Sequence, residues 1–577
     1  MINPDKVIKA GVVAAFKELY GHDLDADAAQ IQPTKKEFEG THTFVVFPFL
    51  KVSKKKPEQT AEEIGEYLVE HLDGVEGFNV VKGFLNLSLA PSVWVTALEH
   101  IGQEQTFGRL PANGRKAMVE FSSPNTNKPL HLGHLRNNFL GDSVSRIMEM
   151  AGYEVMKVNL VNDRGIHICK SMLAYEKFGD GETPTSSGIK GDHLIGKYYV
   201  RFDQEYKKQI AAMVADGTDE ERAKKEAPLL LEAQELLKKW ESNDPDAVGL
   251  WSQMNDWVYE GFDQTYATMG IAFDKIYKES DTYLLGKDIV EEGLQKEVFF
   301  KKDNGSAWVD LTDEGLDEKL VLRADGTAVY MTQDMGTCDF KHKDFPFDQS
   351  VYVVGNEQDY HFNVLFKIMR KLGRSYADGL YHLSYGMVDL PTGKMKSREG
   401  TVVDADDLMS SMFETAEQQT RELGKIEGLS DQEAEELYRI LGLGALKYFL
   451  LKVDPKKRML FNPKESIDFQ GNTGPFIQYT HARISAISRR AMELGVANVF
   501  NKESVDLMPK EREVIANLVQ FPVIVANAAR EYAPSIVAQY AYDLAKAYNS
   551  FYQDLKIFDD DAPEQTAFRV LLSSATA

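Results

Sequence analysis

The sequence predicts an α/β protein built around a parallel sheet, with an α+β domain at the N-terminus and an all-α domain at the C-terminus. Three observations predict this class. The chain has 577 residues, several times the roughly 150 of an average domain. A strand–helix–strand pattern covers residues 117–161, and helical periodicity dominates after residue 404. We therefore expect several domains around one α/β core.

Composition narrows the class of protein further. The two cysteines, Cys169 and Cys338, lie far apart, which argues against a disulfide framework and a cysteine zinc site. A net charge of −23 argues against a nonspecific nucleic-acid coat, because phosphate binding uses clustered Lys and Arg. No apolar run reaches the roughly 20 residues of a membrane span, and residues 1–21 have the pattern of an amphipathic helix. We expect a cytoplasmic monomer without a membrane or DNA partner.

The first predicted domain covers residues 1–112. The stretches THTFVVFPFL and VVKGFLNLSL carry β-branched and aromatic residues at strand spacing, and short helical patterns lie between them. The same domain contains a basic run, KVSKKKP at 51–57, with Lys54, Lys55 and Lys56. This run is compatible with a solvated loop and equally with a contact to an RNA backbone.

A strand–helix–strand unit opens the second domain, residues 113–403. AMVEF is a predicted strand, a loop with two prolines follows, and YEVMKVNLV is the next strand. Between them, apolar residues recur at helical spacing up to Gly152, a predicted helix cap; they are Leu135, Phe139, Val144, Ile147 and Ala151. The unit implies a parallel, Rossmann-type sheet with its ligand loop at the carboxyl end of the first strand.

The sheet is predicted to resume late in the sequence, with SVYVV, a helix through FNVLFKIMRKLG and the strand YHLSYGMV. Residues from about 180 to 318 are acidic and helix-prone, which predicts an inserted subdomain. Asp404 is a predicted N-cap of the helical region that follows. Residues 404–454 form a predicted helical connection, and 455–577 form the predicted all-α domain.

The loop of the first unit, FSSPNTNKPLHLGHLRN at 121–137, is the first candidate site. A loop entering a helix N-terminus presents free N–H groups and a positive dipole end, which suits phosphate. Gly133 allows close approach, His131 and His134 can donate hydrogen bonds to phosphate oxygens, and Lys128 adds a mobile charge. A zinc site would need further ligands that we do not find, and a purely structural histidine pair is the other alternative.

A second candidate site lies at GKMKSREGTVV, residues 393–403, one loop after the resumed sheet. Lys394, Lys396, Ser397 and Arg398 follow each other on a glycine-bounded loop that can bring cations to a triphosphate. A basic surface turn has the same pattern. The position of the loop in the predicted sheet connects it to the histidine motif.

HLGH and KMKSR resemble the two signature motifs of class I aminoacyl-tRNA synthetases. Together with NDRGIHICKSM, DGTAVYMTQDM and FQGNTGPFIQYTHAR, they resemble the arginyl-tRNA synthetase family over nearly the whole chain. The resemblance implies ATP-dependent activation of L-arginine to arginyl adenylate, then transfer to the 3′-terminal adenosine of tRNA(Arg). It also implies Mg²⁺ bound through the nucleotide.

One departure from the class pattern affects the lysines. The second lysine of the class lies three places after the first, where this chain has Ser397, and Lys396 lies one place earlier. Family members without that lysine typically carry one just before the histidine motif, as Lys128 does here. The resemblance therefore assigns the catalytic and ATP-binding roles to His131, Gly133, His134, Lys128, Lys394, Lys396 and Ser397.

Arginine selection requires carboxylates, because a guanidinium is recognised by planar bidentate pairing. On residues alone, Asp334 is an ordinary surface acid. The resemblance instead implies that Tyr330, Asp334 and Glu279 contact the substrate side chain. It places Asn125 and Gln358 at the α-amino and carboxylate end, with Glu120 beside them.

The resemblance also implies RNA contacts. The helical end resembles an anticodon-binding domain, in which we expect Tyr540, Leu544, Ala547 and Phe551 to form the core. The expected tRNA contacts are exposed Tyr548 and Asn549, His481, Arg483 and, for the tRNA elbow, the lysines Lys54, Lys55 and Lys56. The chain stops at FRVLLSSATA, earlier than is general in the family, so we expect a shortened anticodon domain with weakened anticodon recognition.

Two alternatives remain at this point. A nucleotidyltransferase can use the same histidine motif without tRNA, but the long helical half and the N-terminal domain argue against it. A noncatalytic RNA-binding paralogue would keep the fold without the chemistry, and the intact histidines, lysines and Asp334 argue against that.

Overall fold

The structure, a computed structural model, describes residues 4–26, 28–35, 37–389, 403–422, 428–496 and 499–577. The chain divides into two compact units. One contains Met1–Arg109, Phe476–Ile524 and Tyr540–Ala577; the other contains Leu110–Pro475 and Val525–Gln539. Each unit joins stretches that are distant in sequence, whereas the four predicted domains are continuous segments. The four-domain division therefore stays a prediction.

The N-terminal segment forms an antiparallel sheet with strand order β1-β2-β4-β3 and four helices. The predicted amphipathic helix is confirmed, since Ile8, Val12 and Phe16 are buried along one side of it. The elements are α1 Pro4–Tyr20, β1 Ile31–Pro33, β2 His42–Val45, α2 Leu50–Ser53, α3 Pro57–His71, β3 Val75–Val81, β4 Phe84–Leu89 and α4 Pro91–Gln103.

The second unit holds the central sheet and the helices around it. Its elements up to residue 389 are β5 Lys116–Glu120, α5 Leu132–Met150, β6 Glu154–Val161, α6 Ile166–Phe178, α7 Pro184–Ser187, α8 Gly191–Ala215, α9 Glu220–Glu226, α10 Pro228–Glu241, α11 Pro245–Met269, β7 Lys275–Lys278, α12 Glu279–Thr282, α13 Lys287–Gln295, β8 Phe299–Lys301, β9 Ala307–Val309, β10 Lys319–Leu322, α14 Tyr330–Asp344, β11 Gln349–Gly355, α15 Asp359–Lys371, β12 Leu380–Tyr385 and β13 Val388–Asp389.

Five parallel strands form the central sheet in the order β12-β11-β5-β6-β7. In chain order this is 5-4-1-2-3, which is the Rossmann arrangement, and the strand order reverses beside β5. All carboxyl ends lie at one edge, so the loop after β5 lies at the topological switch point. The predicted Rossmann-type core is confirmed, and ligand binding at this edge stays a prediction.

The sheet resumes earlier than the sequence predicted. Strand β7 lies inside the region from about 180 to 318, yet it pairs with β6 through Val158–Lys275 and Val161–Lys278. Strand β7 was not predicted, because KIYK is short and half of its residues are lysines. The rest of that region contains helices α7–α11 before β7. After β7 it contains helices α12 and α13 and most of the small antiparallel sheet β10-β9-β8.

The described residues after 403 are mainly helical, as predicted. Asp404 is the N-cap of the first helix, since its Oδ1 accepts the Asp406 N–H at 2.8 Å. None of the described helices is long and apolar enough to cross a membrane. The elements are α16 Ala405–Glu422, α17 Asp431–Leu451, β14 Met459–Leu460, α18 Pro463–Ser466, α19 Gly474–Leu494, α20 Pro509–Glu531, α21 Pro534–Asp554 and α22 Pro563–Thr576.

The first unit has one hydrophobic core built from both halves of its sequence. Phe16, Leu87 and Trp94 of the N-terminal segment belong to the same buried cluster as Phe551 and Phe568 of the C-terminal helices. Burial of apolar surface is the dominant favourable term in folding. The N-terminal sheet and the C-terminal helices therefore stabilise each other.

Gly152 ends α5 with a φ of +87°, and a Cβ there would lie 2.1 Å from the Pro111 carbonyl oxygen. We predict that Gly152→Ala lowers the free energy of unfolding by about 3 kcal/mol, because the left-handed backbone and the clash both oppose a side chain. Gly217 follows α8 with a φ of +91° and no atom within 4 Å. As the matched control, Gly217→Ala should cost only about 1 kcal/mol in denaturant unfolding. Equal costs would contradict the steric argument.

Candidate active site

The loop after β5 has an unusual backbone. Ser122 and Ser123 both have positive φ, at 77° and 45°. Their N–H groups are held by side chains, since Ser122 donates to Asn137 Oδ1 at 2.5 Å and Ser123 donates to Asn159 Oδ1 at 3.1 Å. Strained residues of this kind persist only where the surroundings hold them, and they cluster at functional sites. This turn directs the following segment over the carboxyl edge of the sheet.

The histidine motif forms the start of α5, as the sequence predicted. His131 is the N-cap, and its Nδ1 accepts the Gly133 N–H at 3.1 Å. The His134 Nδ1 accepts the His131 N–H at 3.1 Å, and the two ring centroids lie 4.0 Å apart. Both rings therefore use Nδ1 for the backbone and leave Nε2 for a ligand.

Both histidines are held in the neutral form. Burial, the larger cause, and the charge of Lys128 together lower the pKa of His131 to about 3. Burial also places the pKa of His134 well below its ordinary value, with added repulsion from His131 and Lys128. Because Nδ1 accepts in each ring, the single proton of the neutral imidazole is on Nε2. The pair thus offers two N–H donors that carry no charge.

Gly133 has a steric role that the sequence analysis did not identify. A Cβ at this position would lie 2.9 Å from Cε1 of His131. The glycine was predicted to make room for a nucleotide, and that role stays a prediction. In the structure it makes room for the histidine ring.

The segment that precedes α16 pairs with the histidine motif. Leu132 donates its N–H to the Val403 carbonyl at 3.1 Å, and Ala405 donates to the Leu130 carbonyl at 3.0 Å. The predicted triphosphate residues Lys394, Lys396 and Ser397 lie outside the described residues. Their roles stay predictions.

A cavity of about 1000 Å³ adjoins the motif. His131 and Lys128 line one side of it, and α8 supplies His193, Lys197 and Arg201 on another. Its size is within the range of small-molecule sites. These three residues were not predicted, because the residues of α8 were assigned only to an insertion.

The predicted arginine-binding acids converge at the same edge of the sheet. Glu279 begins α12, directly after β7, and Asp334 lies in the second turn of α14. The charge of Asp334 acts on Glu279, and both act on Tyr330, which is 62% exposed. The structure therefore brings together the acidic residues that the family resemblance assigned to the substrate side chain.

His361 is a neighbour that sequence reasoning missed. Its Nε2 donates to Asp334 Oδ2 at 2.6 Å, and its ring lies 5.8 Å from that of Tyr330. It belongs to the stretch GNEQDYHF that supplied Gln358, and that shared motif was the available signal. His361 holds the Oδ2 atom of Asp334 by this hydrogen bond, and the bond does not involve the other carboxylate oxygen, Oδ1.

The pKa of Glu279 is raised to about 7, mainly by burial and also by the charges of Asp163 and Asp334, while the charge of Arg164 opposes the increase. A carboxyl group in this state is about half protonated near neutral pH. An added cation would favour its ionised form. The negative charge around Glu279 therefore favours the binding of a cationic group in this pocket.

Glu120 ends β5 as predicted, but its carboxylate is 5% exposed and forms a buried ion pair with Lys341 of α14. Asn125 and Gln358 are both exposed. Asn125 lies in the loop after β5, where it forms an isolated bridge with Asn162, and Gln358 precedes α15. Their assignment to the substrate stays a prediction.

Family models match almost the whole chain. Residues 98–462 match the model described as tRNA synthetases class I (R), catalytic domain, which covers more than half of the sequence. The chain belongs to the arginyl-tRNA synthetase family. Residues 6–89 match the Arginyl tRNA synthetase N terminal domain, and residues 477–577 match the DALR anticodon binding domain. The resemblance seen in the motifs is confirmed.

Relatives and solved structures agree with the arginyl-tRNA synthetase family. A curated arginine–tRNA ligase of Amoebophilus asiaticus is 57% identical and covers 100% of this chain and 97% of that protein. One of Bacteroides thetaiotaomicron is 55% identical, covering 99% and 96%. The solved arginyl-tRNA synthetase of Thermus thermophilus has the same fold, with a TM-score of 0.79 at 23% identity, covering 100% of this chain and 98% of that one.

The candidate RNA-contacting residues of this chain lie in the first unit. Lys54, Lys55 and Lys56 are exposed between α2 and α3, and Lys55 forms an ion pair with Glu63. His481 is exposed on α19, and its Nδ1 lies 3.2 Å from the carbonyl oxygen of Ala577. These contacts with tRNA stay predictions.

The expectation that Tyr548 and Asn549 are exposed is wrong. Tyr548 is 0% exposed, and its hydroxyl donates to Ser573 Oγ at 2.8 Å. Asn549 is 9% exposed; it donates to Thr480 Oγ1 at 2.7 Å and accepts from Arg483. The physical reason is helical spacing, which places Tyr548 on the same face as buried neighbours four residues before it and three after it.

Arg483 has the surroundings of a base-stacking surface. Its guanidinium lies 5.1 Å from the ring centroid of Tyr479 and 4.6 Å from that of Tyr552. The two rings are 39% and 38% exposed. Of the predicted contacts on the C-terminal helices, Arg483 is the one placed beside exposed aromatic rings.

We predict that His131 and His134 stay neutral down to pH 5, because burial opposes their charged forms. In ¹³C-histidine NMR, the signals lost in His131→Gln and His134→Gln should not titrate between pH 5 and 8. His193 is the internal control, since its hydrogen bond to Asp406 and the charges of Asp404 and Asp192 raise its pKa. Its signal should titrate with a higher midpoint than that of an ordinary histidine. Protonation of either motif histidine near pH 6 would contradict the assignment of neutral donors.

Proposed function

We propose that the protein is an arginine–tRNA ligase, which activates L-arginine with ATP and transfers it to the 3′-terminal adenosine of tRNA(Arg). The observation that carries the proposal is the 57% identity, over the whole chain, to a curated protein of that name. The site supports it, because a phosphate-suited histidine pair and an acidic pocket lie at the carboxyl edge of one sheet. The proposed activity uses both.

In the first step, an oxygen of the arginine carboxylate attacks the α-phosphorus of ATP, and pyrophosphate leaves with the electron pair of the broken bond. Negative charge accumulates on the phosphate oxygens. His131 and His134 donate from Nε2 to these oxygens, and Lys128 supplies the positive charge. Lys394, with Lys396 and Ser397 beside it, serves the departing pyrophosphate. Catalysis rests on positioning and electrostatics, with no covalent step on a side chain.

Arginine is selected by the acidic pocket. Glu279 and the oxygen of Asp334 that His361 leaves available face the guanidinium, and Tyr330 covers it. A planar guanidinium can bond both carboxylates at once, whereas the ammonium of lysine cannot reproduce that geometry. Asn125 and Gln358 bind the α-amino and carboxylate end. Glu120 acts beside them while Lys341 holds one of its oxygens.

Mg²⁺ enters with the nucleotide, because this ion prefers phosphate oxygens and water to an all-protein site. Within the described part of the chain, one cluster could hold a metal, formed by Asp192, His193 and Asp406. The Lys190 ammonium lies 3.2 Å from Asp192 and 2.6 Å from Asp406. A cation therefore already occupies that cluster, and we do not assign the ion to it.

The partners are ATP, L-arginine and tRNA(Arg), and the protein acts as a cytoplasmic monomer. Both cysteines, Cys169 and Cys338, are free and buried, which is compatible with a reducing compartment. Arg483 and the exposed basic run at 51–57 contact the tRNA. DNA and membranes are not partners.

We predict that arginine alone, among the amino acids, is esterified to a total tRNA pool. Arginine-dependent ATP–pyrophosphate exchange, measured with and without tRNA, separates activation from transfer. His131→Asn combined with His134→Asn should lower exchange by roughly 10²-fold or more, because the donors to the phosphates are lost. Asp142→Asn, a change elsewhere on α5, is the control and should leave exchange near wild type. Charging by another amino acid would overturn the proposal.

We predict that kcat/KM for arginine rises with pH up to about 7 and then levels off. Glu279 has a raised pKa of about 7, so below that pH its carboxyl is protonated in the free enzyme and must lose a proton to bind the guanidinium. The loss should approach about tenfold per pH unit at low pH. Glu279→Gln should flatten this profile and lower its plateau. Glu291→Gln, an exposed change on α13, should keep the wild-type profile; an unchanged profile in Glu279→Gln would exclude this carboxylate.

A further inference from the structure

Asp163 is a buried carboxylate in the loop after β6, and it is 0% exposed. Its Oδ1 accepts the Ser280 N–H at 2.8 Å, and its Oδ2 accepts the Ser280 hydroxyl at 2.7 Å and the Tyr259 hydroxyl at 2.9 Å. All three donors are neutral. Burying a carboxylate is costly unless it is well hydrogen-bonded, so this arrangement holds Asp163 and Ser280 in one geometry.

The main chain of Asp163 is fixed as well. Its carbonyl oxygen accepts the indole N–H of Trp251 at 2.6 Å and the Asn255 amide at 3.3 Å. Both donors lie on α11. Asp163 therefore joins the loop after β6 to two helices, since its backbone is bound to α11 and its side chain to α11 and to the first turn of α12.

Ser280 directly follows Glu279 at the start of α12. The first N–H groups of a helix have no partner within it, and the Lys278 side chain provides none here. Asp163 supplies the missing acceptor from a different strand end. Because the peptide that joins Glu279 to Ser280 is fixed in this way, so is the backbone from which the Glu279 side chain extends.

We propose that Asp163 is a positioning residue for arginine, which holds the Glu279–Ser280 turn so that the Glu279 carboxylate faces the guanidinium. This inference rests on the proposed function of the site. Asp163 itself does not touch the substrate, because its carboxylate oxygens are bound to Ser280 and Tyr259.

Asp163 also acts on Glu279 through its charge. Its negative charge raises the pKa of Glu279, in addition to burial, while Arg164 lowers it. The ionisable groups around Glu279 come from each neighbouring element: Asp163 and Arg164 after β6, Asp334 and Tyr330 on α14, Tyr259 on α11 and Glu241, the ion-pair partner of Arg164, on α10. Among them, Asp163 alone combines a charge effect with bonds to the turn.

Two substitutions separate these effects. Asp163→Asn keeps the shape and removes the charge, so the pH midpoint of kcat/KM for arginine should move down by about one unit. Asp163→Ala removes the anchor as well, and the KM for arginine should rise about tenfold or more while the KM for ATP stays within about twofold. Ser280→Ala, which removes one donor, should raise the KM for arginine by a smaller factor.

Asp142→Asn is the matched control. Asp142 is 6% exposed and pairs with Arg146 and Lys157 instead of α12, so its loss should leave the pH midpoint and the KM for arginine unchanged. An unshifted midpoint in Asp163→Asn would overturn the inference, and so would equal increases of both KM values in Asp163→Ala or Ser280→Ala. If Asp163→Ala does not fold, the pH midpoint in Asp163→Asn and the two KM values in Ser280→Ala test the inference. A wild-type enzyme without arginine-dependent exchange would instead overturn the proposed function.

Discussion

The site depends on the free-energy cost of burying negative charge. Several carboxylates meet at the carboxyl edge of the sheet, and each needs compensation to remain ionised there. Glu120 has the ammonium of Lys341, and Asp334 has the imidazole of His361. Glu279 is different, since burial and its acidic neighbours raise its pKa to about 7. Under the proposed function, the substrate guanidinium is the cation that compensates Glu279, and selectivity for arginine follows from the raised pKa of that carboxyl group.

Much of the fold could be predicted because its signals are local. Helical spacing before Gly152 and the strand runs on either side predicted the first β-α-β unit, and the parallel sheet followed from it. Strand β7 was missed, since KIYK has no apolar run and its place depends on pairing with β6. The shared core of Phe16 and Phe568 could not be read from sequence for the same reason: nothing local links residues so far apart.

The candidate site could also be predicted only where its signals are local in the sequence. The histidine pair was predicted, because its spacing fixes its place on one helix turn. The burial of Glu120 by Lys341 was not, since a pair separated by 221 positions has no spacing rule. The neutral state of His131 depends on burial, which a sequence does not show. The exposure of Tyr548 was predicted wrongly, although its helical spacing to buried neighbours was available.

The composition of the first unit has a consequence for biosynthesis. Its core needs residues from the beginning of the chain and from the helices after residue 476. A ribosome adds roughly 5–20 residues per second, so the N-terminal sheet waits tens of seconds for its partner helices. During that interval Leu571 is not yet made, and Gly102, which faces it, borders an apolar surface open to water. Translation speed and chaperone access therefore bear on the yield of this unit.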